Sequence, residues 1–185
     1  MNGKSSAILV LASVVACSAP PRPQPEALPL GDITAAPREC ELISSNAIEL
    51  ATGFKNYTAV AGKTDRGRFA SCSVAEDTSP EGELGLTIEV FEPSPISPDG
   101  LENTKVSTQG IDLPTDLAPG FAARRKSPKD QSVAFVYGWT PDYKRLLTIN
   151  IYQGAPGRDS LADATEFFRQ LKPILLDTRK TNHPE

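Results

Sequence analysis

Apolar and polar residues alternate cleanly from residue 84: Leu84, Leu86, Ile88 and Val90 are separated by Gly85, Thr87 and Glu89. A period of two places the four apolar side chains on one face and predicts a half-buried strand over 84–90. Residues 132–139 are apolar on both phases, with Val133, Phe135, Tyr137 and Trp139 on one and Ala134 and Val136 on the other. That pattern predicts a strand covered on both sides, at the centre of a sheet. Thr140-Pro141-Asp142 is a turn signal, and residues 145–152 return as the hairpin partner. Weaker patterns predict strands over 57–61, 68–75 and 121–126.

The period changes toward both ends. Leu161, Ala164, Phe167, Phe168 and Leu171 recur at three and four residues, which predicts an amphipathic helix starting at Asp159 or Ser160. Pro173 is expected to kink or end it, because its ring removes a helical hydrogen bond. A short helix is expected at 47–51, with Asn46 and Glu49 spaced like a capping box and Gly53 as a stop. Prolines at 93, 95, 98, 114 and 119 make 92–120 mostly loop, with a short helical turn around 101–109. The order predicts an α+β fold: a mainly antiparallel sheet of about five or six strands, with the N-terminal short helix and the C-terminal amphipathic helix on one face.

The first 38 residues follow neither pattern. Lys4 precedes an apolar and small-residue run over 6–15, too short for a bilayer span of about 20 residues. This order reads as a secretory signal. It ends in Val14-Val15-Ala16-Cys17, which resembles the bacterial lipobox. That resemblance implies a diacylglycerol on Cys17 and cleavage before it. Six prolines within 18–38 then favour an extended tether, reaching roughly 65 Å at about 3.1 Å per residue. The expected organisation is a signal peptide over 1–16, lipidated Cys17 and tether over 17–38, a single domain over 39–176, and a polar tail over 177–185.

Composition narrows the chemistry. The net charge is −4, which argues against a nucleic-acid binder. The single histidine, His183, stands three residues from the end, leaving little material for a zinc or histidine-based site. Of three cysteines, a lipidated Cys17 leaves Cys40 and Cys72 as an even pair in an oxidising compartment. They are expected to form a disulfide; the alternative is two free thiols.

Cys40-Glu41-Leu42-Ile43-Ser44 at a helix start, Cys72 in a strand about thirty residues later, the lipobox and the proline-rich tether together resemble the DUF3558 family of actinobacterial lipoproteins of unknown function. Val74 stands where many members carry tryptophan. The resemblance covers residues 17 to about 176 and implies a cell-envelope location, without supplying a reaction.

No nucleophile elbow, P-loop or dinucleotide fingerprint is present, so no catalytic residue, metal ligand or cofactor is expected. Glu81 with Glu83 and Asp112 with Asp116 are the nearest carboxylate pairs, and read as solvated loop charge. Arg124-Arg125-Lys126 reads as charge on an exposed edge strand, its neighbours pointing to opposite faces. Tyr137, Trp139, Tyr143 and Tyr152 either line a ligand groove or simply pack the hairpin. The expectation is an extracytoplasmic, lipid-anchored, non-catalytic module whose partners are the membrane and an envelope protein, lipid or glycan. Two alternatives are a carrier of a lipid or other apolar ligand and a carboxylate-based cell-wall hydrolase.

Overall fold

The computed structural model describes residues 28–65, 67–77, 83–127 and 131–177. Cys17, the signal peptide and His183 lie outside the described residues.

Chain order is β1 (Arg38–Glu39), β2 (Ile43–Ser44), α1 (Ser45–Thr52), β3 (Tyr57–Lys63), β4 (Phe69–Glu76), β5 (Leu84–Phe91), α2 (Pro98–Ser107), β6 (Ile111–Asp112), β7 (Gly120–Lys126), β8 (Ser132–Trp139), β9 (Leu146–Ile151) and α3 (Ser160–Leu175). Among the described residues β3 to β9 form one antiparallel sheet in the order β3-β4-β5-β9-β8-β7-β6. The fold is α+β as expected, but with seven strands in place of five or six. The added one, β6, has two exposed residues and no alternation to reveal it. β8 is an interior strand, but the middle one is β9, buried at all six positions.

Helices α1 and α3 pack into one core with Cys72, Val74, Leu86, Ile88, Val136 and Ile149. On α3 the buried residues include Ala164, Phe167, Phe168 and Leu171, members of the expected stripe. The helix comes so close to β8 that a Cβ on Gly138 would lie 2.1 Å from the Phe168 ring. Gly138→Ala must therefore displace that ring, and should cost about 1–3 kcal/mol as overpacking. Urea melts of the two proteins test this, and equal midpoints would show that Phe168 moves freely.

Local chemistry explains the helix ends. Asp159 caps α3, its carboxylate accepting from the amides of Leu161 at 2.9 Å and Ala162 at 3.2 Å. Gly53 ends α1 in the left-handed conformation, φ 80°. One expectation fails. The capping box at Asn46 does not form, because α1 starts two residues earlier than expected and Ser44 occupies the cap position without a side-chain bond. Of the two outcomes expected at Pro173, a kink or an end, the end does not fall at the proline itself, since α3 runs two residues further to Leu175. The proline sits in the last turn, where only one amide bond is forfeited.

The chain also joins the core sooner than expected. Leu30 and Ile33 are buried, at 2% and 0% exposure, within the main core. Gln170 clamps this strap, accepting from the Ile33 amide at 3.0 Å and donating to the Gly31 carbonyl at 2.8 Å. Arg158 donates to the Leu28 carbonyl at 2.5 Å. The folded unit thus begins before Glu39. Isolated apolar residues between prolines gave no periodic signal, so the strap read as spacer.

Cys40 and Cys72 are joined as expected, with Cα atoms 5.8 Å apart. The bridge ties the turn between β1 and β2, just ahead of α1, to the second strand of the large sheet.

Candidate functional site

Alternation along β8 sends Ala134, Val136 and Gly138 toward α3 and Phe135, Tyr137 and Trp139 to the opposite face. Antiparallel pairing extends that face into rows. Tyr137 stands opposite Phe121 on β7 and Thr148 on β9, and Thr148 stands opposite Glu89 on β5. The next row is Ala123, Phe135, Asn150 and Thr87. One half of the face is therefore aromatic and the other polar.

The aromatic half is a compact cluster. Phe121 lies 6.0 Å from Phe135, 5.6 Å from Tyr137 and 6.1 Å from Trp139 between ring centroids. Tyr143, held at φ 55° in the turn between β8 and β9, stacks on Trp139 at 6.0 Å and 21°. Phe121 and Phe135 are fully buried, Tyr137 and Trp139 are half-buried, and Tyr143 is exposed. Arg125 lies over the Phe135 ring, 5.3 Å from its centroid. Burial raises the Tyr137 hydroxyl above its ordinary pKa; Arg125 opposes this, while Tyr152 and Glu89 add to it. Of the four aromatics singled out in the sequence, Tyr137, Trp139 and Tyr143 share this ring cluster, and Tyr152 reaches it only through its electrostatic effect on Tyr137. Their companions Phe121 and Arg125 lie on β7, the strand that reads as charged edge, while Phe135 shares the phase of Tyr137 and Trp139 on β8.

On the polar half, Asn150 donates to Thr87 Oγ1 at 3.2 Å and Thr148 donates to Glu89 at 3.4 Å. Two buried polar atoms on this face, Asn150 Oδ1 and Trp139 Nε1, have no hydrogen-bond partner among the described residues. An unmet buried donor or acceptor costs about 1–3 kcal/mol, so each calls for an explanation.

A cleft of about 300 Å³ opens at the end of the sheet, lined by Thr64, Arg68, Phe69, Val90, Phe91, Glu92, Pro93 and Arg145. Arg145 donates Nη1 to the Leu176 carbonyl at 2.7 Å and Nη2 to the Leu175 carbonyl, closing the C-terminal end of α3. Glu92 lies between the two guanidinium groups, 3.6 Å from Arg68 and 3.5 Å from Arg145. Burial, then the like charge of Arg68, lowers the Arg145 pKa, which Asp177 partly offsets. No sequence motif marks this cleft, because its charged residues are far apart in the chain.

The carboxylates named from sequence do not gather. Asp112 pairs with Lys105 at 2.6 Å and Asp116 with Arg169 at 2.8 Å, while Glu81 lies outside the described residues. Arg124 and Arg125 do diverge: Arg124 pairs with Asp159, and Arg125 turns to the aromatic face. No described helix is long and apolar enough to cross a membrane.

No family model matches this chain, and no curated protein or solved structure is found to be similar to it.

Proposed function

We propose that this protein is an extracytoplasmic lipoprotein of the bacterial cell envelope, held through a diacylglycerol on Cys17, whose aromatic sheet face recognises an envelope partner without catalysis. The Val14-Val15-Ala16-Cys17 pattern, the proline-rich segment after it and the resemblance to DUF3558 lipoproteins support the anchor. One observation carries the recognition surface: half-buried Trp139 and exposed Tyr143 stack beside the unpartnered Trp139 Nε1. Rings with few rotatable bonds give contact area at low entropic cost, as binding surfaces require, and the buried Trp139 Nε1 lacks a partner among the described residues.

The strap sets the reach. With Leu30 and Ile33 buried, only residues 18–27 separate Cys17 from the described chain. Extended, they would span roughly 31 Å at about 3.1 Å per residue, half the reach of a tether running to residue 38.

Two measurements test the reading. Intact mass of membrane-extracted protein should show a chain starting at Cys17 plus diacylglycerol. Cys17→Ala should move most of the protein from the membrane to the soluble fraction, since a domain without its acyl chains retains little affinity. An unmodified N-terminus would refute the anchor. For the recognition face, a photo-crosslinking residue replacing Tyr143 in whole cells should give a discrete adduct that Trp139→Ala abolishes. The same residue replacing Val60, an exposed residue of β3, should give none. Identical patterns at both positions would remove the aromatic face from the proposal.

A further inference from the structure

The cleft between Arg68 and Arg145 is separate from the aromatic cluster and lies at the opposite end of α3 from Leu28, where the strap begins. Leu28 is held by Arg158, which pairs with Asp163 in the first turn of that helix, and Arg145 closes its last turn. Sixteen helical residues at about 1.5 Å each put roughly 24 Å between the two ends.

The charge at this cleft runs against that of the whole chain. The chain carries −4 overall, yet the cleft is lined by two guanidinium groups and one carboxylate. Closure of α3 accounts for the two terminal nitrogens of Arg145 and leaves Nε, which is buried and makes no hydrogen bond. Its distance of 3.5 Å to Glu92 is an ion pair without hydrogen-bond geometry, and Arg68 is no closer. Glu92 thus sits loosely between the two cations, and Asp177 acts on Arg145 only at longer range. An incoming oxyanion would meet two guanidinium groups and a desolvated N–H. Guanidinium groups suit carboxylate and phosphate geometry. The remaining walls are Phe69, Val90, Phe91 and Pro93. A volume of about 300 Å³ is at the small end of ligand sites.

We infer that this cleft binds a small oxyanion carried on an apolar body, with Arg68 and the Nε of Arg145 holding the charged group and the Phe69 and Phe91 side of the cleft taking the rest. The site is independent of the aromatic face and of the anchor, so it stands or falls by itself.

The probe is phenyl phosphate, titrated into the isotope-labelled full chain while arginine side-chain and backbone NMR signals are followed. Saturable shifts are expected at Arg145 Nε and around Phe69 and Phe91. Arg68→Gln, an exposed substitution that should leave the fold intact, should weaken binding at least tenfold. Lys55→Gln, at a surface ion pair elsewhere, should leave it unchanged. Inorganic phosphate should bind at least fivefold more weakly, because the apolar wall is then unused. Vesicles of phosphatidylglycerol distinguish a lipid headgroup from a free ligand. Competition with phenyl phosphate that is lost in Arg68→Gln would identify the headgroup as one source of the oxyanion. Shifts scattered over surface lysines, equal binding by Arg68→Gln, or equal affinity for inorganic phosphate would each overturn the inference.

Discussion

Reducing the Cys40–Cys72 bridge should lower stability by about 3–4 kcal/mol, the loop-closure entropy released when residues 32 apart are no longer joined. The position of the bridge makes the effect larger than a local one. Cys72 is fully buried in the core, and Cys40 belongs to the turn that leads into α1. Without the bond, β1, β2 and α1 keep only their own packing on the sheet. Those two strands have two residues each, too few to be stable alone. Unfolding by urea, with and without reductant, measures the difference. A Cys40→Ala/Cys72→Ala variant should match the reduced protein within about 1 kcal/mol, because the buried volume lost is small. Hydrogen exchange should show α1 opening before β9 once the bond is gone. A reduced protein as stable as the oxidised one would mean that α1 docking alone holds this corner.

How much of this was legible in sequence depended on whether a residue's role was set by its neighbours in the chain. The strands β4, β5, β7, β8 and β9 and the helix α3 carry periodic apolar residues, and periodicity is a local signal. The Cys40–Cys72 pairing followed from counting cysteines. The aromatic group followed in part, because Tyr137 and Trp139 share one phase of β8. Phe121 and Arg125 joined them only through pairing of β7 with β8, a long-range fact. The Arg68–Glu92–Arg145 cleft needed three separate strand ends to meet, which no local pattern records. The strap failed for a related reason. Leu30 and Ile33 are buried in the main core beside α3, whose Gln170 is more than a hundred residues away, and prolines around them mimic a spacer.

That strap has a distinctive dependence on one buried ion pair. Arg158 and Asp163 bond twice, at 2.9 and 2.6 Å, with side chains only 8% and 2% exposed. Asp163→Asn should cost about 3–5 kcal/mol, because it leaves a guanidinium buried without its counter-charge. Replacing both, as Arg158→Met with Asp163→Leu, should recover most of that loss, since two apolar side chains of similar size need no desolvation. The recovered protein should still differ from the original in one place. The Leu28 carbonyl loses the Arg158 donor, while the Gln170 clamp on Gly31 and Ile33 remains. Proteolysis should then speed up before residue 30 and leave the rest as resistant as before. If the double replacement instead stays as unstable as Asp163→Asn, the pair itself stabilises the fold. If it is stable with an unchanged cleavage pattern, Leu30 and Ile33 hold the strap without help from Arg158. Faster cleavage confined to the residues before 30 would make the Arg158–Asp163 pair a positioning device, one that sets where the folded unit stops and the tether begins.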